Sequence, residues 1–159
     1  MRHALTAALL GAVLAGPALA QETWSLALGR AVQVGEEGIS GDTFLTARRT
    51  GPAVLPLGLA SDIALGVGEG GTAFLSVGFA RAFDLGAARL DLRTGPALYR
   101  SGLDGADSDE RLQFYSSAGV SIPAGGFSVG LQAAHISNAR GTGASSDTDI
   151  VSVTVAKGF

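Results

Sequence analysis

His135, Ser137 and Asn138 fall within the stretch HISNARGTGASSDTD, residues 135–149, which closes on Asp147 and Asp149. A serine hydroxyl is a poor nucleophile until a neighbouring imidazole takes its proton. A carboxylate beside that imidazole then fixes its tautomer and stabilises the imidazolium that forms. An amide next to the serine can donate a hydrogen bond to a tetrahedral oxyanion. Ser137, His135, one of the two aspartates and Asn138 are the residue types this chemistry needs. Spacing alone does not deliver it, because a polar strand end would read the same way. The elements that carry the stretch must turn the three side chains to one place.

Those elements have a period of two. In Phe127, Val129, Leu131 and Ala133 the apolar residues share one parity, and His135 and Ser137 continue it; Asp147 and Asp149 share the parity of Val151, Val153 and Val155. Side chains of one parity lie on one face of a strand. All four polar residues therefore belong to the apolar face, at one end of two strands. In one hairpin register Ser137 stands opposite Asp149, and in a second, slipped by two residues, His135 does; both preserve every facing. Neighbours on a strand face are roughly 6.6 Å apart and paired strands about 4.8 Å, close enough for a hydrogen-bonded chain.

The same alternation recurs along the chain. It appears at Trp24, Leu26 and Leu28, over 42–50, over 54–67 (VLPLGLASDIALGV), at Leu75 to Phe79, at Leu90, Leu92 and Leu98, and at Leu112 to Ile122. Gly-rich turn signals separate these segments at 35–41, 49–52, 68–71, 84–87, 101–110 and 123–126, and the opening stretch supplies the seventh connection. Eight strands in one domain result, with no amphipathic helix, internal repeat or linker. The off-face residues, among them Ala64, Gly66, Gly78, Arg89, Asp91, Arg93, Gln113, Ser117 and Gln132, are small or polar. An eight-stranded antiparallel up-and-down transmembrane β-barrel turns its apolar face to lipid and fills its narrow interior with such side chains. Alternation does not say which face is inside, so a soluble lipocalin-like barrel is the competing architecture.

Composition agrees with an exported barrel. The chain has 159 residues, 47% hydrophobic and 16% charged, with no cysteine and a net charge of −3. That excludes disordered and nucleic-acid-binding classes. Residues 1–20, MRHALTAALLGAVLAGPALA, have a basic start, a short apolar run and an Ala-Leu-Ala cleavage pattern, and read as a signal peptide ahead of a barrel domain over 21–159. A retained membrane helix is disfavoured by Pro17 and the short run. Cleavage leaves His135 as the mature chain's one histidine, so no histidine-based metal cluster forms within it, and neither a metal nor a cofactor is expected. GVGEGG at 66–71 matches a phosphate-loop pattern but joins two strands, so it reads as a turn. The acidic loop of Asp104, Asp107, Asp109 and Glu110 lacks the spacing of a calcium loop and reads as solvated.

AAHISNA at 133–139, late in a small exported barrel and followed by an acidic residue twelve positions after the serine, resembles the PagL-type lipid A 3-O-deacylases. A terminal strand ending in Phe159 is also similar to outer-membrane barrels, whose C-terminal aromatic is an assembly signal. The resemblance implies an outer-membrane esterase that removes the acyl chain at position 3 of lipid A. It implies His135 as base, Ser137 as nucleophile, Asp149 as acid with Asp147 the alternative, and Asn138 at the oxyanion. Lipid A within lipopolysaccharide and the membrane lipids are the implied partners; association with a second copy is left open. Two residues depart from the family pattern. Asp149, one methylene shorter, stands where the family has glutamate, which lengthens the bond to His135 or requires the slipped register, and Arg140 replaces a glycine whose amide assists the oxyanion. A non-catalytic barrel serving adhesion or envelope structure is the alternative function.

Overall fold

In the computed structural model, which describes residues 21–35, 38–41, 43–100, 112–138 and 148–159, the alternating segments form antiparallel strands. They are β1 (Thr23–Gly35), β2 (Gly38–Ser40), β3 (Thr43–Thr50), β4 (Ala60–Gly68), β5 (Ala73–Leu85), β6 (Ala88–Arg100), β7 (Leu112–Ala124), β8 (Phe127–Asn138) and β9 (Thr148–Gly158). From β3 onward each strand pairs with the next, and β1 joins β3 on one side to β9 on the other, so the sheet closes. β2 pairs only with β1 and lengthens the first hairpin. Eight long strands thus make the barrel. Residues 1–20 and the acidic loop of Asp104, Asp107, Asp109 and Glu110 lie outside the described residues.

The apolar face is outside. Leu26, Leu28, Leu65, Val77, Phe114, Val120, Leu131 and Val153 are exposed all round the wall, while Ala64, Gln113, Ser117, Gln132 and Ser152 are buried. An apolar belt this continuous is what lipid covers and water does not. The lipocalin-like alternative fails on that orientation.

Inside, Phe44, Phe74 and Tyr115 stack in sequence, with centroids 6.5 and 5.4 Å apart. A Cβ at Gly66 would enter the Phe74 ring, so glycine there makes room for the stack. Below it, Asp62 accepts hydrogen bonds from Thr50 Oγ1 (2.8 Å) and Arg48 Nη1 (3.2 Å) and faces Arg93 Nε at 3.6 Å. Tyr115 OH accepts from Arg48 and from Gln132 Nε2 (2.9 Å). These charges stay buried because each has a partner of opposite sign or a hydrogen bond.

One expected strand is shorter than its pattern. Alternation runs over 54–67, but β4 begins only at Ala60. Pro56 has no N–H for a ladder, and Leu57 (φ 62°) and Gly58 (φ 68°) take left-handed conformations that break the extended chain into a short turn, Pro56–Gly58. By contrast GVGEGG does form a hairpin turn, with Gly68 N donating to Thr72 O at 2.7 Å and β5 following it.

Candidate functional site on the outer wall

β8 divides its side chains cleanly. Gln132, Ala134 and Ile136 are buried inside, whereas Leu131, Ala133, His135 and Ser137 belong to the outer face. On β7, Ala118 pairs with Ala133, Ser116 with His135 and Phe114 with Ser137. On β9, Val153 pairs with Leu131, Val151 with Ala133 and Asp149 with His135. The structure therefore adopts the slipped hairpin register, and the pairing of Ser137 with Asp149 does not occur.

That register suits the shorter acid. Side chains directly opposite have Cβ atoms only about 5 Å apart. Asp149 Oδ1 accordingly lies 2.7 Å from His135 Nδ1 without the extra methylene of a glutamate. A carboxylate only accepts, so Nδ1 carries the hydrogen, and in the neutral imidazole Nε2 then keeps its lone pair. Both side chains are open to the outside, His135 at 45% and Asp149 at 61% of full exposure. Their cost on a lipid-facing wall is small because they sit at the strand ends, where the penalty for charge falls to about 0 to 1 kcal/mol.

Ser137 is half-buried on the same face, one step beyond His135. Among the described residues no hydrogen bond joins its hydroxyl to the imidazole. Same-face neighbours along a strand are farther apart than direct cross-strand partners, and catalytic bonds that are long in a free enzyme tighten when substrate binds. The Asn138 side chain, Asp147 and Arg140 lie outside the described residues.

Beside the polar row the wall is shallow. Ala118, Ala133 and Val151 form a row of short side chains, bounded below by Val120, Leu131 and Val153 and above by Phe114. Ala133 and Leu131 were evident from parity in β8 alone; Ala118 and Val151 enter only once the strand registers are known. A cavity of about 240 Å³ lies inside the barrel among Arg89, Asp91, Arg93, Gln132 and Thr154, and neither His135, Ser137 nor Asp149 borders it. The candidate site faces outward and does not open into that cavity.

The strand ends around the site carry further charge. In the β4–β5 turn, the backbone N–H of Thr43 donates to Glu69 at 3.1 Å and holds that carboxyl below its ordinary range, with Arg30 adding to the effect. Arg30 lies on β1, paired with Val151, and donates to Gly41 O at 3.0 Å. The site's row thus ends beside one cation, Arg30, and one anion, Glu69, at the rim.

A family model described as Lipid A 3-O-deacylase (PagL) matches residues 21–156. The chain is similar in structure to the outer membrane enzyme PagL, with TM-score 0.60 and 16% identity over 86% of this chain and 99% of that one. It is also similar to a de novo designed transmembrane β-barrel (TM-score 0.58, 12% identity, 89% and 97% covered). Neisserial surface protein A is a third likeness (TM-score 0.51, 14% identity, 87% and 96% covered). At these identities the structural likeness speaks for the fold. No curated protein sequence matches the chain.

Proposed function

The chain belongs to the lipid A 3-O-deacylase (PagL) family, and from that premise we propose that it is an outer-membrane esterase that removes the acyl chain at position 3 of lipid A from the lipid-facing wall of its barrel. The contact of His135 with Asp149 on that wall, with Ser137 on the same face, carries the reading. The site also lies at the end of the barrel that suits the substrate. There β6–β7 and β8–β9 are joined by residues 101–111 and 139–147, while the opposite end has two-residue turns at 86–87 and 125–126. Outer-membrane barrels keep short turns in the periplasm and long loops outside, which supports a site beside the outer leaflet.

In this reading the Ser137 hydroxyl attacks the ester carbonyl as its proton passes to His135 Nε2. Asp149 holds Nδ1–H and stabilises the imidazolium, and the Asn138 amide donates to the oxyanion. Collapse expels the sugar hydroxyl, which takes the proton back from His135. Water, deprotonated by the same imidazole, then attacks the acyl-enzyme and releases the fatty acid and Ser137. A second copy of the chain enters no step. The acyl chain lies against Ala118, Ala133 and Val151 while the sugar stays at the interface, so it never leaves the bilayer.

Purified protein incubated with lipopolysaccharide tests the reading by mass spectrometry. Loss of one hydroxyacyl chain from lipid A, with the free acid recovered, is expected. Unchanged lipid A would leave a barrel whose function resides in its loops.

A further inference from the structure

The segment between β3 and β4, residues 51–59, sits at the end of the barrel away from the candidate site and is unlike the two-residue turns beside it. GPAVLPLGL contains no ionisable residue, and Val54 and Leu57 stand 77% and 78% exposed. Leu57 is held at φ 62°, ψ 18°, a conformation that non-glycine residues rarely adopt. The fold therefore tolerates backbone strain and turns two large apolar side chains outward, where periplasmic water would make their exposure unfavourable.

Three observations say what covers them. First, four N–H groups of the segment are hydrogen-bonded within it or to its base: Gly51 N to Ser61 O (2.8 Å), Val54 N to Pro52 O (2.9 Å), Leu55 N to Leu59 O (3.1 Å) and Leu59 N to Pro56 O (3.4 Å). The remaining backbone groups need water, so the backbone stays at the hydrated interface and only the side chains reach past it. Second, Ala53 packs against Ala60, Ala80 and Ala82, which seats the segment against the lower end of β5. β5 itself continues past Ala80, the partner of Ala60, to Leu85, and Leu85 on β5, Ile122 on β7 and Phe127 on β8 are exposed at this same end of the barrel. The lipid-facing belt thus reaches down to the level of the segment. Third, half-exposed Trp24 donates to Glu22 and pairs across the sheet with Arg49, an indole beside charges of the kind that marks a membrane interface.

We propose that residues 51–59 form an interfacial anchor, with Val54 and Leu57 inserted into the acyl region of the inner leaflet. The anchor fixes the depth of the barrel in the bilayer, and hence the height at which its opposite rim meets the outer leaflet. It stands independently of the esterase reading, since it uses none of that site's residues.

Trp24 is the chain's one tryptophan, so Leu57→Trp and Val54→Trp, each made with Trp24→Phe, report on these positions alone. Both variants are refolded into vesicles of phosphatidylethanolamine and phosphatidylglycerol, with either ordinary or dibrominated acyl chains. A blue-shifted emission that loses most of its intensity in brominated vesicles and little to iodide, at either position, is the expected result. Emission at the wavelength of water-exposed indole at both positions, quenched by iodide and indifferent to bromine, would overturn the proposal and leave the segment facing the periplasm.

Discussion

Asp149→Asn measures how much the acid does. In the structure the carboxylate meets His135 Nδ1 at 2.7 Å, but both side chains are about half open. A charge-assisted hydrogen bond is worth about 1.5 to 3 kcal/mol, and solvent around this one favours the lower half of that range. The amide keeps an acceptor oxygen and, being exposed, can rotate to present it to Nδ1–H, so the tautomer survives. What is lost is the stabilisation of the imidazolium. At about 1.4 kcal/mol per decade, roughly 1.5 to 2 kcal/mol corresponds to a ten- to thirtyfold fall in kcat/KM. The fall should appear in initial rates of fatty-acid release from lipopolysaccharide in mixed micelles. Heat-modifiable migration of the folded barrel should not change, since an exposed pair contributes about 0 to 1 kcal/mol to stability. A loss as complete as that of Ser137→Ala would refute the view that Asp149 only orients and stabilises. No loss in Asp149→Asn, together with a large one in Asp147→Asn, would move the acid to the other aspartate.

Ser137→Ala and His135→Ala should each abolish acid release while the barrel stays folded, because both side chains face outward; activity in either, followed by mass spectrometry, removes the triad. Ala133→Trp fills the shallow row beside the site and should change which acyl lengths are released. Ala134→Trp, one residue on and buried inside, should instead lower folding yield, since overpacking costs about 1 to 3 kcal/mol or more. Asp62→Ala leaves Arg48 and Arg93 facing each other in the interior and should lower the urea midpoint by an amount equivalent to about 3 to 5 kcal/mol, with the catalytic rate of the folded fraction unchanged.

The barrel was legible because alternation is a local property. Each of Leu26 and Leu28, Val129 and Leu131, Val151 and Val153 announces its face without reference to any other strand, and the wall is their sum. The choice of face was less legible, since a soluble barrel has the same alternation with the opposite sense. β4 was overextended for a related reason: Leu55, Leu57 and Leu59 keep strand parity while Pro56 and the left-handed Leu57 and Gly58 break the chain. At the site, parity put His135, Ser137 and Asp149 on one side, but two registers satisfied it equally. The register is set by the whole hairpin, down to Val129 opposite Val155, and no single residue of the stretch encodes it. The interior pairing of Arg48 with Asp62 was invisible for the same reason, because it depends on how β3 meets β4.

A site built this way owes its geometry to the ladder and not to a pocket. His135 and Asp149 meet because they are direct partners, and the strands that pair them are held from behind by Ala134, Ile136 and Ile150, all buried inside the barrel. Among the described residues nothing stands over the outer face. In the proposed reaction the bilayer would supply the missing wall, its acyl chains packing against Leu131, Val153 and Phe114 and excluding water from the shallow row between them. Shielding of the hydrogen bond at the oxyanion would come from the same source, since exclusion of water strengthens it, while the His135–Asp149 pair at the interface stays partly solvated. It follows that the esterase should work on lipid A assembled in a membrane or mixed micelle far better than on a dispersed, short-chain ester of equal reactivity. Equal kcat/KM for the two would mean that the barrel wall alone completes the site, contrary to the open face that His135 and Asp149 present.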